Sequence, residues 1–137
     1  MVIAVPDDTT VAVDREADIV AARQNGRELA AAMGFSSTDQ TMIALAISEI
    51  ARNIISYAQR GTITLSLLHD RGRRGIQIVA RDQGPGIPDI ELAMRDGYST
   101  GKSLGVGLPG AKRLMDEFDI ASEAGHGTRI VMRKWRD

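Results

Sequence analysis

The sequence predicts an α+β fold: a two-layer sandwich whose mixed, mostly antiparallel sheet carries helices on one face. Three observations point there. Two stretches with helical apolar spacing lie in the first 60 residues. Two stretches with strict period-two alternation follow, and a shorter helical stretch then leads into two further strands. Hairpin-like pairs of this kind do not build a doubly wound parallel sheet.

TTVAV (residues 9–13) is a short β-branched strand. Asp14 stands where it can cap a helix whose face is Ile19, Ala22, Gly26, Leu29, Ala30 and Met33, with Gly34 at its C-terminal end. Ser37 with Gln40 three residues on is a capping-box signature for a second helix running to about Gln59, stopped by Gly61. Its core stripe is Ile43, Ile47, Ile50, Ile54 and Ala58. Residues 62–69 and 75–82 alternate as strands around the loop DRGRR, which predicts an antiparallel hairpin. Residues 83–107 are punctuated by Gly and Pro and form no single regular element. Pro109 suits a helix start, and Leu108, Ala111, Leu114, Met115 and Phe118 make an amphipathic stripe. Strands near residues 120–122 and 128–135 flank a Gly125-His126-Gly127 turn.

At 137 residues the chain fits one domain, residues 1–137, with a core that needs no metal or disulfide. Zero cysteines exclude a disulfide framework, a thiolate zinc site and a thiol nucleophile. His69 and His126 are far apart, which argues against a histidine metal cage. No apolar run approaches a membrane span, and MVIAVPDD turns acidic too early for a signal peptide. Seventeen basic against eighteen acidic side chains leave no electrostatic footprint for nucleic acid or anionic lipid. The expectation is a soluble cytoplasmic domain that binds neither nucleic acid nor membrane.

Seven of the fourteen glycines fall between Gly84 and Gly110. Gly105, Gly107 and Gly110 satisfy G-x-G-x-x-G, but no strand ends just before them, as a dinucleotide site requires. GYSTGKS (residues 97–103) has three residues between its glycines where a P-loop has four. GKSLG fits a nucleophile elbow at Ser103, with Asp116 and His126 following in hydrolase order, but no strand feeds the serine. The glycines around the start of the Pro109 helix leave two readings open. One is a surface loop without a ligand; the other is a phosphate site at a helix N-terminus.

Glu49 and Asn53 are four residues apart and share a helix face, beside the isoleucine stripe and with Met42, Ala46 and Ser56 for neighbours. That face is either a partly exposed polar edge or a place where a carboxamide and a carboxylate hold Mg²⁺ and a hydroxyl. Asp82 continues the row of Ile76, Ile78 and Ala80, the expected core face, so its carboxylate needs a donor. With Gln83-Gly84-Pro85-Gly86 following, it is either the cap of an Asx-turn or a pocket-bottom acceptor for an exocyclic amine such as adenine's.

Four boxes fall in one order: Glu49-x-x-x-Asn53, Asp82-Gln83-Gly84-Pro85-Gly86, Gly105-Val106-Gly107-Leu108 and Gly127-Thr128. Together, over roughly residues 10–135, they resemble the GHKL (Bergerat) nucleotide fold of gyrases, heat-shock chaperone ATPases, sensor histidine kinases and mismatch-repair ATPases. DIVAARQNGRELA, ISEIARNI, RDQGPGIPDI and GLPGAKRLMDEF further resemble the RsbT-type serine/threonine switch kinases of bacterial stress-signalling complexes, whose near relatives are the RsbW-type anti-sigma-factor kinases. The resemblance implies ATP and Mg²⁺ as cofactors. It makes Glu49 the catalytic base and Asn53 the Mg²⁺ ligand. Asp82 takes the adenine amine, Gly84 and Gly86 shape the floor under the purine, and Thr128 lies near the adenine. Gly105, Gly107 and Leu108 stand at the phosphates. Residues 98–104 occupy the position of the lid, where charge and place suggest Lys102 for a terminal phosphate.

No phosphoacceptor histidine on a dimerisation helix precedes the domain, and no coupling domain fits within 137 residues. The reading is therefore an ATP-dependent serine/threonine kinase acting on a separate protein, by resemblance a STAS-domain antagonist. A second partner, such as a PP2C-type phosphatase, completes a partner switch. The rivals are an ATP-bound binding module without transfer and a hydrolase using Ser103. Retention of Glu49 favours the kinase, because nucleotide binding alone needs no base.

Overall fold

The computed structural model describes residues 3–4, 8–87, 94 and 107–136. Six strands form one sheet. β1 (Ile3–Ala4) and β2 (Thr9–Val13) both pair with β3 (Gly61–Asp70). From there the order runs through β4 (Arg73–Asp82) and β6 (Gly127–Arg136) to β5 (Glu117–Glu123) at the edge. Every described pairing is antiparallel. Among the described residues there are three helices: α1 (Glu16–Ala32), α2 (Ser37–Ala58) and the short α3 (Gly107–Leu114).

α2 is the central helix because its isoleucine stripe falls on one face. Ile43, Ile47, Ile50 and Ile54 are all buried. They share one core with Ile63 and Leu65 of β3, Ile76, Ile78 and Ala80 of β4, and Ile130 and Met132 of β6. α1 and α3 pack against the flanks of α2, adding Ile19, Ala22, Leu108 and Ala111 to the same core. The opposite sheet face carries a polar network instead. Arg133 donates to Gln77 at 2.9 Å, the Trp135 indole N–H donates to Glu117 at 2.6 Å, and the Arg73 guanidinium lies 4.2 Å from the Trp135 ring centroid.

The structure moves several expected boundaries. Arg15, not Asp14, is the α1 N-cap; the Asp18 carboxylate reaches back to accept from the backbone N–H groups of Asp14 and Arg15. The α2 cap is Ser36 rather than Ser37. Its hydroxyl accepts from Asp39 N, while the Gln40 amide donates to the Phe35 carbonyl. The β3–β4 turn needs only Arg71 and Gly72, both at positive φ, so the strands extend to Asp70 and Arg73. That backbone matches the twist of the hairpin it joins. α3 ends at Leu114, and Phe118 belongs to β5, because after Asp116 the chain pairs with Arg133 and Met132.

Candidate active site

Asp82 ends β4 on the helix-covered face, buried like the apolar residues that precede it in the row. Its register partner on β6 is Thr128, so carboxylate and hydroxyl stand on neighbouring strands with the same orientation. Of the two sequence readings of Asp82, the Asx-turn is present in the structure. Oδ1 accepts from Gly84 N–H at 3.0 Å, an Asx-turn, and the residue also lines a cavity of about 880 Å³.

The turn after Asp82 is locked by close backbone approach. A Cβ on Gly84 would lie 2.5 Å from Ala58 Cβ at the end of α2. Gly86 adopts φ +83° beside the Glu123 carbonyl. Across the sheet, Gly127 (φ +88°) lies so near the Asp82 carbonyl that no side chain fits. Gly125 N–H donates to the Pro85 carbonyl, tying the β5–β6 turn to the same segment. Ser122 completes the lock: its hydroxyl accepts from Ile87 N–H at 2.7 Å and bonds the Thr128 hydroxyl at 2.8 Å.

Glu49 and Asn53 stand one turn apart on α2, Glu49 buried and Asn53 half-buried. Arg52 Nη1 donates to Glu49 Oε1 at 3.1 Å. The helix meets the strand ends at Gly61, where a Cβ would press on Ile54 Cγ2 at 2.9 Å and Asp82 Cβ at 3.2 Å. Ile54, on the core stripe of α2, is thus the residue of this helix that packs beside the end of β4. Gly107, at φ +53°, opens α3, and Leu108 behind it is buried in the core. Lys102 and Gly105, with residues 98–104, lie outside the described residues.

The cavity and the Glu49–Asn53 face of α2 are separate features. The cavity includes Asp82, Ser122, Gly127 and Thr128, then runs over the outer sheet face past Arg81 and Arg129; Glu49, Asn53 and Gly107 are not among its described walls. Chemistry identifies the site better than cavity size does. The α2 face offers a carboxylate and a carboxamide, and the strand ends offer an acceptor and a hydroxyl. Among the described residues, no group of three or more His, Cys, Asp or Glu side chains could hold a metal. That donor set suits an ion held by one side-chain oxygen, with phosphate oxygens and water supplying the rest.

Ser122 and the Arg52–Glu49 pair are not anticipated by the sequence motifs, and Gly127 stands in one of them without a role. The signal for Gly127 was available in the Gly-His-Gly turn. Ser122 gave none, since its partners Ile87 and Thr128 lie on other segments.

The model of the histidine kinase-like ATPase domain matches residues 12–134, and the chain belongs to that family. Within it, the chain is an RsbT-type serine/threonine-protein kinase. It is 55% identical over 129 residues to serine/threonine-protein kinase RsbT of Bacillus subtilis, covering 94% of this chain and 97% of the relative. An anti-sigma F factor of Geobacillus stearothermophilus is 31% identical over 106 residues, covering 72% and 71% of the two chains. Among solved structures, the RsbU and RsbW domains of a Mycobacterium tuberculosis protein superpose with a TM-score of 0.67 at 20% identity; the match covers 96% of this chain and 33% of that one. A mycobacterial sensor histidine kinase, MprB, gives a TM-score of 0.55 at 15% identity, covering 96% and 97%. These two likenesses show the shared fold. The chain is thus an ATP-using serine/threonine-protein kinase. No helix among the described residues is long and apolar enough to cross a membrane.

Proposed function

We propose that this chain, as a single cytoplasmic ATP-binding domain over residues 1–137, transfers the γ-phosphoryl group of ATP to a serine or threonine of a STAS-domain antagonist protein. The observation that carries this reading is the buried Glu49 carboxylate one helical turn from Asn53. Nucleotide binding alone calls for no base there.

Asp82 accepts from the adenine amine beside Thr128, on the floor made by Gly84 and Gly86. By resemblance, Gly105, Gly107 and Leu108 serve the phosphates, with Lys102 a candidate by charge for the terminal one. Asn53 is the side-chain ligand for Mg²⁺, which when bound neutralises phosphate charge. Glu49 receives the proton of the substrate hydroxyl as its oxygen bonds to the γ-phosphorus. The bond from that phosphorus to the β–γ bridging oxygen breaks, and ADP leaves. Such transfers ask a protein mainly for positioning and electrostatic stabilisation, within reach of a small domain.

Kinship with proteins named anti-sigma F factor favours a second output from the same surface, holding a partner until phosphorylation releases it. A phosphate carries nearly two negative charges, which disfavour a fitted, partly desolvated interface. The test uses labelled ATP and a STAS-domain protein encoded beside this chain. The expected result is label on a serine or threonine, with the phosphorylated partner bound at least about tenfold more weakly, or about 1.4 kcal/mol. Stable binding without transfer overturns the kinase reading and leaves a binding module. Transfer with equal affinities leaves a kinase without a switch.

A further inference from the structure

Arg52 lies between Glu49 and Asn53 in sequence, and its guanidinium pairs with the Glu49 carboxylate at 3.1 Å. The two partners sit in different environments: the Glu49 side chain is 8% exposed and that of Arg52 30%. A solvent-exposed pair at this spacing contributes little. Here, however, the carboxylate is buried, where an ionised group needs a charged or hydrogen-bonding partner. An ionised carboxylate has about four lone-pair positions on its two oxygens. The N–H···O bond from Arg52 at 3.1 Å anchors one of these oxygens on the helix face. That matters because a base acts only within hydrogen-bond reach of the proton it takes, and a misplacement of about 1 Å costs on the order of 100-fold in rate.

We propose that Arg52 is a positioning residue, whose ion pair with Glu49 holds the base where the substrate hydroxyl arrives. The inference rests on the reading of Glu49 as the base, and the test separates the two. Transfer from ATP to a STAS-domain antagonist is measured for wild type, Arg52→Gln, Arg52→Lys, Glu49→Gln and the Arg52→Gln/Glu49→Gln double variant, with calorimetric ATP affinity and melting curves for each.

Arg52→Gln is expected to lower kcat roughly 10- to 100-fold while KM for ATP stays within about twofold. Arg52→Lys, which keeps the charge without the planar fork, recovers part of the rate. In the Glu49→Gln background, losing Arg52 adds no further loss. An unchanged rate in Arg52→Gln, alongside an inactive Glu49→Gln, overturns the role of Arg52 alone. Losses that multiply, or a rise in KM without a fall in kcat, overturn it too. Full activity in Glu49→Gln removes the base and with it what Arg52 was to position. If Arg52→Gln does not fold, the same kcat-against-KM comparison is read from Arg52→Lys.

Discussion

Along α2 the groups proposed to bear chemistry are side chains: Glu49, Arg52 and Asn53 belong to a helix whose isoleucine stripe is buried in the core. At the ends of β4 and β6 the working geometry is held by the backbone. Gly84 approaches α2, Gly127 approaches the Asp82 carbonyl, and the Ser122 hydroxyl joins Ile87 to Thr128. On the helix, then, chemistry and folding rest on different residues and can be separated by mutation. In the strand-end cradle they rest on the same ones. Substitutions on the two sides should consequently fail in different ways.

The largest effect is expected on the helix side and should leave the fold intact. Glu49→Ala is predicted to lower phosphotransfer by roughly 10²–10⁴-fold, the usual range for a general base, with ATP affinity largely unchanged. Asn53→Ala should instead weaken the Mg²⁺ dependence of nucleotide binding. Titrating ATP into each variant with and without Mg²⁺, beside single-turnover transfer rates, checks both. Equal loss of binding in the two variants would make this face structural and erase the contrast between helix and cradle.

On the cradle side the largest effect is structural. Gly127→Ala forces a Cβ onto the Asp82 carbonyl at a backbone angle that L-residues rarely adopt. Strain and overpacking together should cost about 2–5 kcal/mol and take ATP binding with them. Gly125 is the control in the same turn. It too has positive φ, +81°, but nothing lies within 4 Å of an added Cβ. Gly125→Ala should therefore cost only the conformational term, about 1–2 kcal/mol. Thermal melts of the two variants measure the difference, and equal melting points would mean that the close approach to Asp82 contributes nothing.

What could be read in the sequence follows the same division. The α2 stripe, the core-facing row ending in Asp82 and the shared face of Glu49 and Asn53 all follow from periodicity, because burial along one helix or strand is a local property. Register across the sheet is not local: only the family resemblance put Thr128 near the site of Asp82, and the β4–β6 pairing makes them partners. Ser122 was invisible because its role depends on Thr128 and Ile87 meeting it from other segments. The caps slipped by one residue because Asp14 and Arg15, or Ser36 and Ser37, offer competing starts, and only tertiary packing selects between them. Phe118 changed element because strand pairing with β6 overrode a helical spacing that α3 was too short to continue. β1 is two residues long, below the length at which alternation carries any signal.

A modest loss in ATP affinity sharpens the comparison most, because it separates two roles within one cradle residue. Asp82 Oδ1 accepts from Gly84 N–H, and that bond belongs to the fold. Asparagine keeps an oxygen for that donor. Asp82→Asn should therefore melt close to wild type, whereas Asp82→Ala loses the turn as well. The amide's other terminus is an NH₂, which would meet an adenine amine donor to donor. An unpaired contact of that kind costs about 1–3 kcal/mol, roughly 5- to 150-fold in ATP affinity. Calorimetry on the folded Asp82→Asn variant reads it directly. Lost affinity with an unchanged melting point separates binding from folding even within the cradle. Unchanged affinity would mean that Asp82 serves only its Asx-turn, and the adenine acceptor would then have to be sought elsewhere.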